Sequence, residues 1–328
     1  MNRALLGCIL ALAAGCSTRT DSTPVQLAAP AGGLQVFGPF VHEHLAIYVV
    51  EDPSAKSAGE FITLAEGFAS GQVKVSEKKS AEVNELLIEN ASDHPCFVQA
   101  GDVVKGGQQD RTIARDFVIP RKTPPSPVAS FCVEQTRWSG QAAFGASTQN
   151  AYGKELRYAV QGKSSQGEVW KEVAKNKSAL AMNNDLSKAQ TSSLNEELDN
   201  SKVQERLKAF RSALTAVIAD RPNAVGIITA VNGRFSTADL YADPGLFRRL
   251  SPRLLESAAL EALTVKAEVK PAPEKALAAA FLAEGEQGST TKEKLRDGLE
   301  ACTTESLKCV QFDYRWNESS LHRQTLSK

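Results

Sequence analysis

At 328 residues, 42% apolar and 23% charged, the chain has an ordinary globular composition and enough length for one large domain or two. Its 38 lysines and arginines equal its 38 aspartates and glutamates. With no net field to attract phosphates, the composition speaks against a general nucleic-acid binder.

The N-terminus reads MNRALLGCILALAAGCSTRT. Arg3 supplies a positive start, and Ala4 to Ala14 is an apolar run of signal-peptide length, too short to cross a bilayer as a helix. The run ends at Ala13-Ala14-Gly15-Cys16, with Leu12 one place earlier than in the commonest pattern. These residues resemble the bacterial lipoprotein lipobox, in which small residues precede a cysteine that is cleaved and lipidated. Residues 1–15 are therefore expected to be a signal peptide, and Cys16 is expected to carry acyl chains of the palmitate type. Several such chains make membrane attachment durable. Ser17, where aspartate would retain a lipoprotein at the inner membrane, implies the outer membrane, facing the periplasm. An oxidising compartment permits disulfides among the cysteines that remain. Cys302 with Cys309 would close a short loop, and Cys96 with Cys132 would tie two strand candidates. A buried free thiol is the plain alternative at Cys132.

Residues 16–33 are small and polar, with proline and glycine, and read as a flexible tether. LAIYVV (45–50) reads as a buried strand. QVKVSE (72–77), NELLIEN (84–90), FVQAG (97–101), DFVIP (116–120) and VASFCVEQ (128–135) continue a strand series, so 34–138 is read as β-rich. Residues 139–167, rich in Gly, Ser, Gln and Ala, read as loop. Helical spacing marks 168–182 and, more clearly, 202–220, where Val203, Leu207, Phe210, Leu214, Val217 and Ile218 form one stripe. Asn232-Gly233 sits between two strand-like arms and predicts a hairpin over 224–241. Asp243-Pro244 then caps a helix whose buried face carries Phe247, Leu250, Leu254 and Ala258. A linker (265–275), a short helix (274–284) and a last strand (308–314) close the chain. The expected fold class is α+β: a β-rich N-terminal half and a helical C-terminal half (139–328) containing a β-hairpin, as one domain or two.

GGQQDRTI (106–113) and CVEQTRW (132–138) gather costly polar groups among apolar, strand-like residues. If both segments are extended, Gln109 and Arg111 share a face, as do Cys132 and Glu134, and Glu134 can meet Arg111 across neighbouring strands. The plain reading is a buried structural ion pair. The functional reading is a seat for a small polar or anionic ligand, with arginine forking onto an oxyanion and with Arg137 and Trp138 completing it.

These runs, with QGEVWKEV and VGIITAVNGRFSTADLYADPGLFRRLSPRLLESAALEAL, resemble the ADP-ribosylglycohydrolase- and rhodanese/phosphatase-superfamily-associated protein domain over roughly residues 60–263. The family's glycine, glutamine and arginine fall on Gly107, Gln109 and Arg111, and its later elements fall on Cys132, Val133, Glu134, Arg137 and Trp138. Thr136 stands where members often have glycine. The resemblance implies a domain of unknown function, named for genes near enzymes of ADP-ribose and NAD metabolism.

The sequence has no phosphate loop, GxGxxG, HExxH, CxxC, EF-hand or GxSxG motif, so no cofactor is expected. His42 and His44 in HEH could face one way, but no third ligand is evident, so no metal is expected. His94 lies in a turn and His322 near the C-terminus. The reading that follows is a membrane-anchored binding module for a small polar ligand or an envelope partner, that partner being left open. Its alternatives are a hydrolase or transferase on an anionic or nucleotide-like substrate, with Glu134 as acid/base, and a structural envelope protein.

Overall fold

The computed structural model describes residues 33–57, 59–78, 84–135, 144–162, 164–186, 198, 200–268 and 270–328. In chain order the first elements are β1 (Gln35–His42), β2 (Leu45–Glu51), β3 (Ile62–Thr63), α1 (Leu64–Ala69), β4 (Val73–Glu77), β5 (Glu85–Asn90), β6 (Cys96–Val98), β7 (Asp102–Gly106), β8 (Arg111–Ile113), β9 (Phe117–Ile119), β10 (Thr123–Cys132) and β11 (Phe144–Asn150). They are followed by α2 (Lys154–Gln161), α3 (Gln166–Asn183), α4 (Ser201–Ala219), β12 (Ala224–Val231), β13 (Arg234–Tyr241), α5 (Pro244–Leu263), α6 (Lys275–Gly285), β14 (Ser289–Lys294), β15 (Leu299–Glu305), β16 (Cys309–Trp316) and β17 (Ser319–Ser327).

The largest sheet has eight strands in the order β1-β2-β12-β13-β17-β16-β15-β14, and every pairing in it is antiparallel. β2 is apolar on both faces because both are covered. Leu45, Ile47 and Val49 join the core shared with α2 to α5, whereas Ala46, Tyr48 and Val50 meet Ala278, Phe281 and Leu282 of α6. The stripe on α4 (Leu207, Phe210, Leu214, Ile218) and that on α5 (Leu246, Phe247, Leu250, Leu254) pack into the same core. Each such side chain, fully buried, contributes about 1.5–3 kcal/mol. The Asn232-Gly233 turn has both residues at positive φ, 50° and 72°, as a type I′ hairpin requires. Asp243 caps α5 by accepting from Leu246 N at 2.6 Å.

The other strands form a six-stranded sheet, β11-β7-β8-β10-β5-β4, and a three-stranded one, β3-β6-β9. They enclose a second core of Val73, Val75, Leu86, Ile88, Val98, Val104, Ile113 and Val128, among others.

The expected helical C-terminal half is corrected by this topology. Six of the eight strands of the large sheet, β12 to β17, lie beyond residue 223, so the chain is β-rich throughout. The missed strands carry no apolar alternation. β14 is STTKEK and almost wholly exposed, at the sheet edge. β17, SSLHRQTLS, is central, yet it buries His322, Gln324 and Thr325 beside Leu321 and Leu326. Partners supplied from distant segments hide these polar groups, and hydropathy does not register them. The expected loop 139–167 likewise contains β11 and α2.

Candidate functional site

β7 and β8 are antiparallel neighbours, and the turn between them is the GGQQD segment. Gly106 and Gly107 both have positive φ, 128° and 54°. A Cβ on Gly107 would lie 2.3 Å from the Phe144 ring and 2.8 Å from Glu77 Oε1, so the turn needs glycine for conformation and for space. β8 in turn pairs with β10, and Arg111 stands opposite Cys132.

This register brings the motif side chains together. Arg111 Nη1 donates to Gln109 Oε1 at 3.1 Å and to Cys132 Sγ. Gln109 Nε2 donates to the Gln135 carbonyl at 3.4 Å. The Asp110 main-chain N–H donates to Glu134 Oε2 at 3.4 Å, and Asp110 Oδ1 accepts from Gly106 N at 3.0 Å. Gln109, Asp110, Arg111 and Glu134 are all buried. The carboxylate that faces the guanidinium at 3.6 Å is Glu77 on β4, where Glu134 was the expected partner. Glu77 Oε1 also accepts from Gln108 N at 3.0 Å. Arg111 Nε is buried and has no hydrogen-bond partner among the described residues. Arg137 and Trp138, like the tether and Cys16, lie outside the described residues.

Behind the cluster, the side chain of Gln166 in the first turn of α3 bonds both main-chain groups of Cys132. Its Oε1 accepts from Cys132 N and its Nε2 donates to Cys132 O, each at 2.8 Å. Burial pushes the Cys132 thiol up, against the pull of Arg111, so it stays protonated at neutral pH.

All four described cysteines are buried free thiols. The two expected disulfides are not formed. Cys302 on β15 stands opposite Asp313, whereas Cys309 stands opposite Ser327 on β17, so the first pair does not face across the hairpin. Cys96 pairs with Ile119, and Cys132 with Arg111.

A second polar cluster escapes sequence reasoning. His322 sits in β17, inside the large sheet, with its Nδ1 2.6 Å from Asp116 Oδ2 and its Nε2 3.3 Å from Asp239 Oδ1. Arg157 of α2 forks onto Asp239 at 2.6 and 3.1 Å. Gln324 Nε2 donates to Asp239 Oδ1, Gln161 Nε2 donates to Gln324 Oε1, and Tyr314 Oη donates to Gln161 Oε1, at 2.9, 2.7 and 3.1 Å. The Tyr241 ring stacks on the imidazole at 4.4 Å. Burial lowers the pKa of His322, but Asp116 and Asp239 outweigh it and push the ring up to about 9. Burial raises Asp239, yet Arg157 and His322 hold it well below the usual carboxylate range. Two cations and two anions thus neutralise one another across α2, β13, β17 and the segment before β9. Arg253 of α5 meets Asp102 of β7 at 3.0 Å and Asn150 of β11 at 2.6 Å, a second buried tie between the two cores.

His44 Nε2 lies 2.8 Å from the Ala262 carbonyl, and His42 packs edge-on against Phe210. Among the described residues, no group of three or more His, Cys, Asp or Glu could hold a metal ion, and no helix is long and apolar enough to cross a membrane.

The strand-turn-strand motif and its supporting helix lie within a stretch whose residue pattern a domain-family model matches. The chain belongs to the ARG and Rhodanese-Phosphatase-superfamily-associated Protein domain family, whose model matches residues 33–325. By that description the family is one associated with ARG and with the rhodanese-phosphatase superfamily. Searches of the curated proteins and of the solved structures find no match.

Proposed function

We propose that this protein is a non-catalytic binding module, tethered through lipidated Cys16 to the periplasmic face of a bacterial outer membrane, whose ligand seat is the Gln109–Arg111–Glu134 cluster. The observation that carries the reading is Arg111. Its side chain is buried beside the Gln109 amide and the half-buried Glu77 carboxylate, while its Nε donor has no acceptor among the described residues. A buried guanidinium N–H without an acceptor costs on the order of 1–3 kcal/mol. A ligand oxygen that reaches it recovers that energy, and ligand hydroxyls or amines can donate to Glu77. The ligand class is therefore a small polar molecule bearing both donors and acceptors.

Binding is favoured over catalysis by protonation. The Cys132 thiol is pushed up, away from a nucleophilic thiolate, and His322 is locked as a cation between two carboxylates. A structural role draws its support from the depth of the same cluster.

Native mass spectrometry of the chain extracted from its own envelope, together with a thermal-shift screen of sugars, amino acids and nucleotides, tests the reading. A retained mass or a stabilising hit that Arg111→Lys abolishes, with melting of the free protein little changed, is the expected result. No retained mass and no hit, with Arg111→Lys mainly lowering the melting temperature, assigns the cluster to structure instead. Cys16→Ser is expected to move the chain from the membrane to the soluble fraction, and unchanged fractionation overturns the anchor.

A further inference from the structure

A second concave surface lies away from the Arg111 cluster, and the reading of that cluster does not depend on it. α2, the start of α3, the start of β16 and the end of β17 enclose a cleft of about 490 Å³, within the range of small-ligand sites. Its floor is apolar: Tyr158, Ala159, Val310 and Leu326. Tyr158 is 40% exposed, an aromatic left half in water although Phe312 lies 6.4 Å away. Wetting such a ring forfeits burial free energy that an apolar ligand body recovers.

The charges on the rim select the ligand's head group. Two of the three carboxylates there are already engaged. Glu168 accepts from Ser165 N at 2.7 Å and from its hydroxyl at 3.0 Å in the cap of α3, and Glu172 pairs with Lys175 at 3.2 Å. Lys328 pairs with Glu305 at 3.4 Å. Lys154 Nζ is held over the cleft by Ser327 Oγ at 2.9 Å and the Lys328 main-chain oxygen at 3.4 Å. Among the described residues Lys171 has no close ion pair; behind the Ser165 bonds, its charge acts on Glu168 and helps hold that carboxyl below its ordinary value. An anchored ammonium and one with no close ion pair therefore flank an apolar floor.

We propose that this cleft binds a small amphiphilic anion of the fatty- or aryl-acid class, with its apolar body on Tyr158 and Leu326 and its carboxylate at Lys171 and Lys154. A neutral apolar ligand offers the two ammonium groups no counter-charge, and a cation is repelled by both. The volume suits a single short chain or ring system and excludes a folded partner.

The test is calorimetric titration of the full chain, carrying Cys16→Ser so that no detergent competes, with octanoate and with octylammonium. Octanoate is expected to saturate one site and octylammonium to bind at least fivefold more weakly. Tyr158→Ala is expected to weaken octanoate about tenfold, the equivalent of 1.4 kcal/mol. Lys171→Glu should cost about fivefold or more and shift the preference towards octylammonium. Both positions face solvent, so melting temperatures should match the parent, and Arg111→Lys should leave octanoate binding intact. Absence of a saturable signal, equal affinities across the variants, or equal binding of the two head groups overturns the proposal.

Discussion

Asp116 Oδ2 and His322 Nδ1 lie 2.6 Å apart although 206 positions separate them, and neither side chain has any exposure. Asp116 immediately precedes β9 of the three-stranded sheet, and His322 lies in β17 of the large sheet. The pair, with Asp239 and Arg157, ties the two layers together by charge. The ring titrates at about 9 in the folded chain, against an ordinary 6.5. A raised histidine pKa stabilises the fold in full below the unfolded value, and the contribution is lost as pH rises through the folded value. Its size is on the order of 3 kcal/mol. Urea unfolding is therefore expected to show stability falling between about pH 6.5 and 9, with the imidazole nitrogens still reading as a cation at pH 8 by NMR. A profile flat across that window, with a neutral ring at pH 8, would sink the assignment.

Removal of one partner from this network should be severe. Arg157→Met leaves Asp239 buried with only His322 as counter-charge. Loss of one member of a buried pair costs about 3–5 kcal/mol. Chemical denaturation should register that loss, whereas Lys175→Met, which breaks only an exposed α3 pair, should change stability by less than about 1 kcal/mol.

Gln166 makes a different kind of prediction, because it bonds main chain on both sides of one residue. Gln166→Ala leaves the N–H and C=O of Cys132 without those partners, at a cost of about 1–3 kcal/mol. Gln166→Glu keeps the acceptor and loses the donor, so it should fall between the two. Equal stability of all three proteins in urea would show that water replaces the amide there.

How far the sequence could be read depended on the distance over which each group is satisfied. The Asn232-Gly233 hairpin, the stripe on α4 and the Asp243 cap are local patterns, and each lies where spacing places it. The sharing of a face by Gln109 and Arg111 is also local, and the two side chains are bonded. Glu77 was not legible as the carboxylate opposite Arg111, because it sits on β4, which among the described strands pairs with β5 and not with β8. His322 was set aside for its nearness to the C-terminus, yet β17 lies between β13 and β16. Buried polar side chains in β17 mimic a surface segment until their partners are known, and that ambiguity hid both this central strand and the second cluster.

The cysteines allow a direct check on oxidation state. Burial pushes the thiols of Cys96, Cys132, Cys302 and Cys309 upward, so native protein should resist alkylation near neutral pH. Unfolding in denaturant without reductant should release all four for labelling, as mapped by peptide mass at these four positions. Four labels confirm the register that keeps Cys302 and Cys309 apart. Two labels, with the rest appearing only after reduction, would mean that a bridge forms between two of them.

Gly107 gives the sharpest test of how the motif turn is built. Alanine there must adopt φ 54° and place a Cβ 2.3 Å from the Phe144 ring. Backbone strain of this kind costs about 1–3 kcal/mol, and the clash adds to it. Gly145, one residue past Phe144 on β11, has nothing within 4 Å of its missing Cβ and serves as the control. Gly145→Ala should leave the melting temperature within a few degrees of the parent. Gly107→Ala should lower it clearly and loosen the Arg111 seat, seen as faster amide exchange across residues 106–113. If the two substitutions behave alike, the turn does not depend on glycine, and the geometry assigned to Arg111 loses its support.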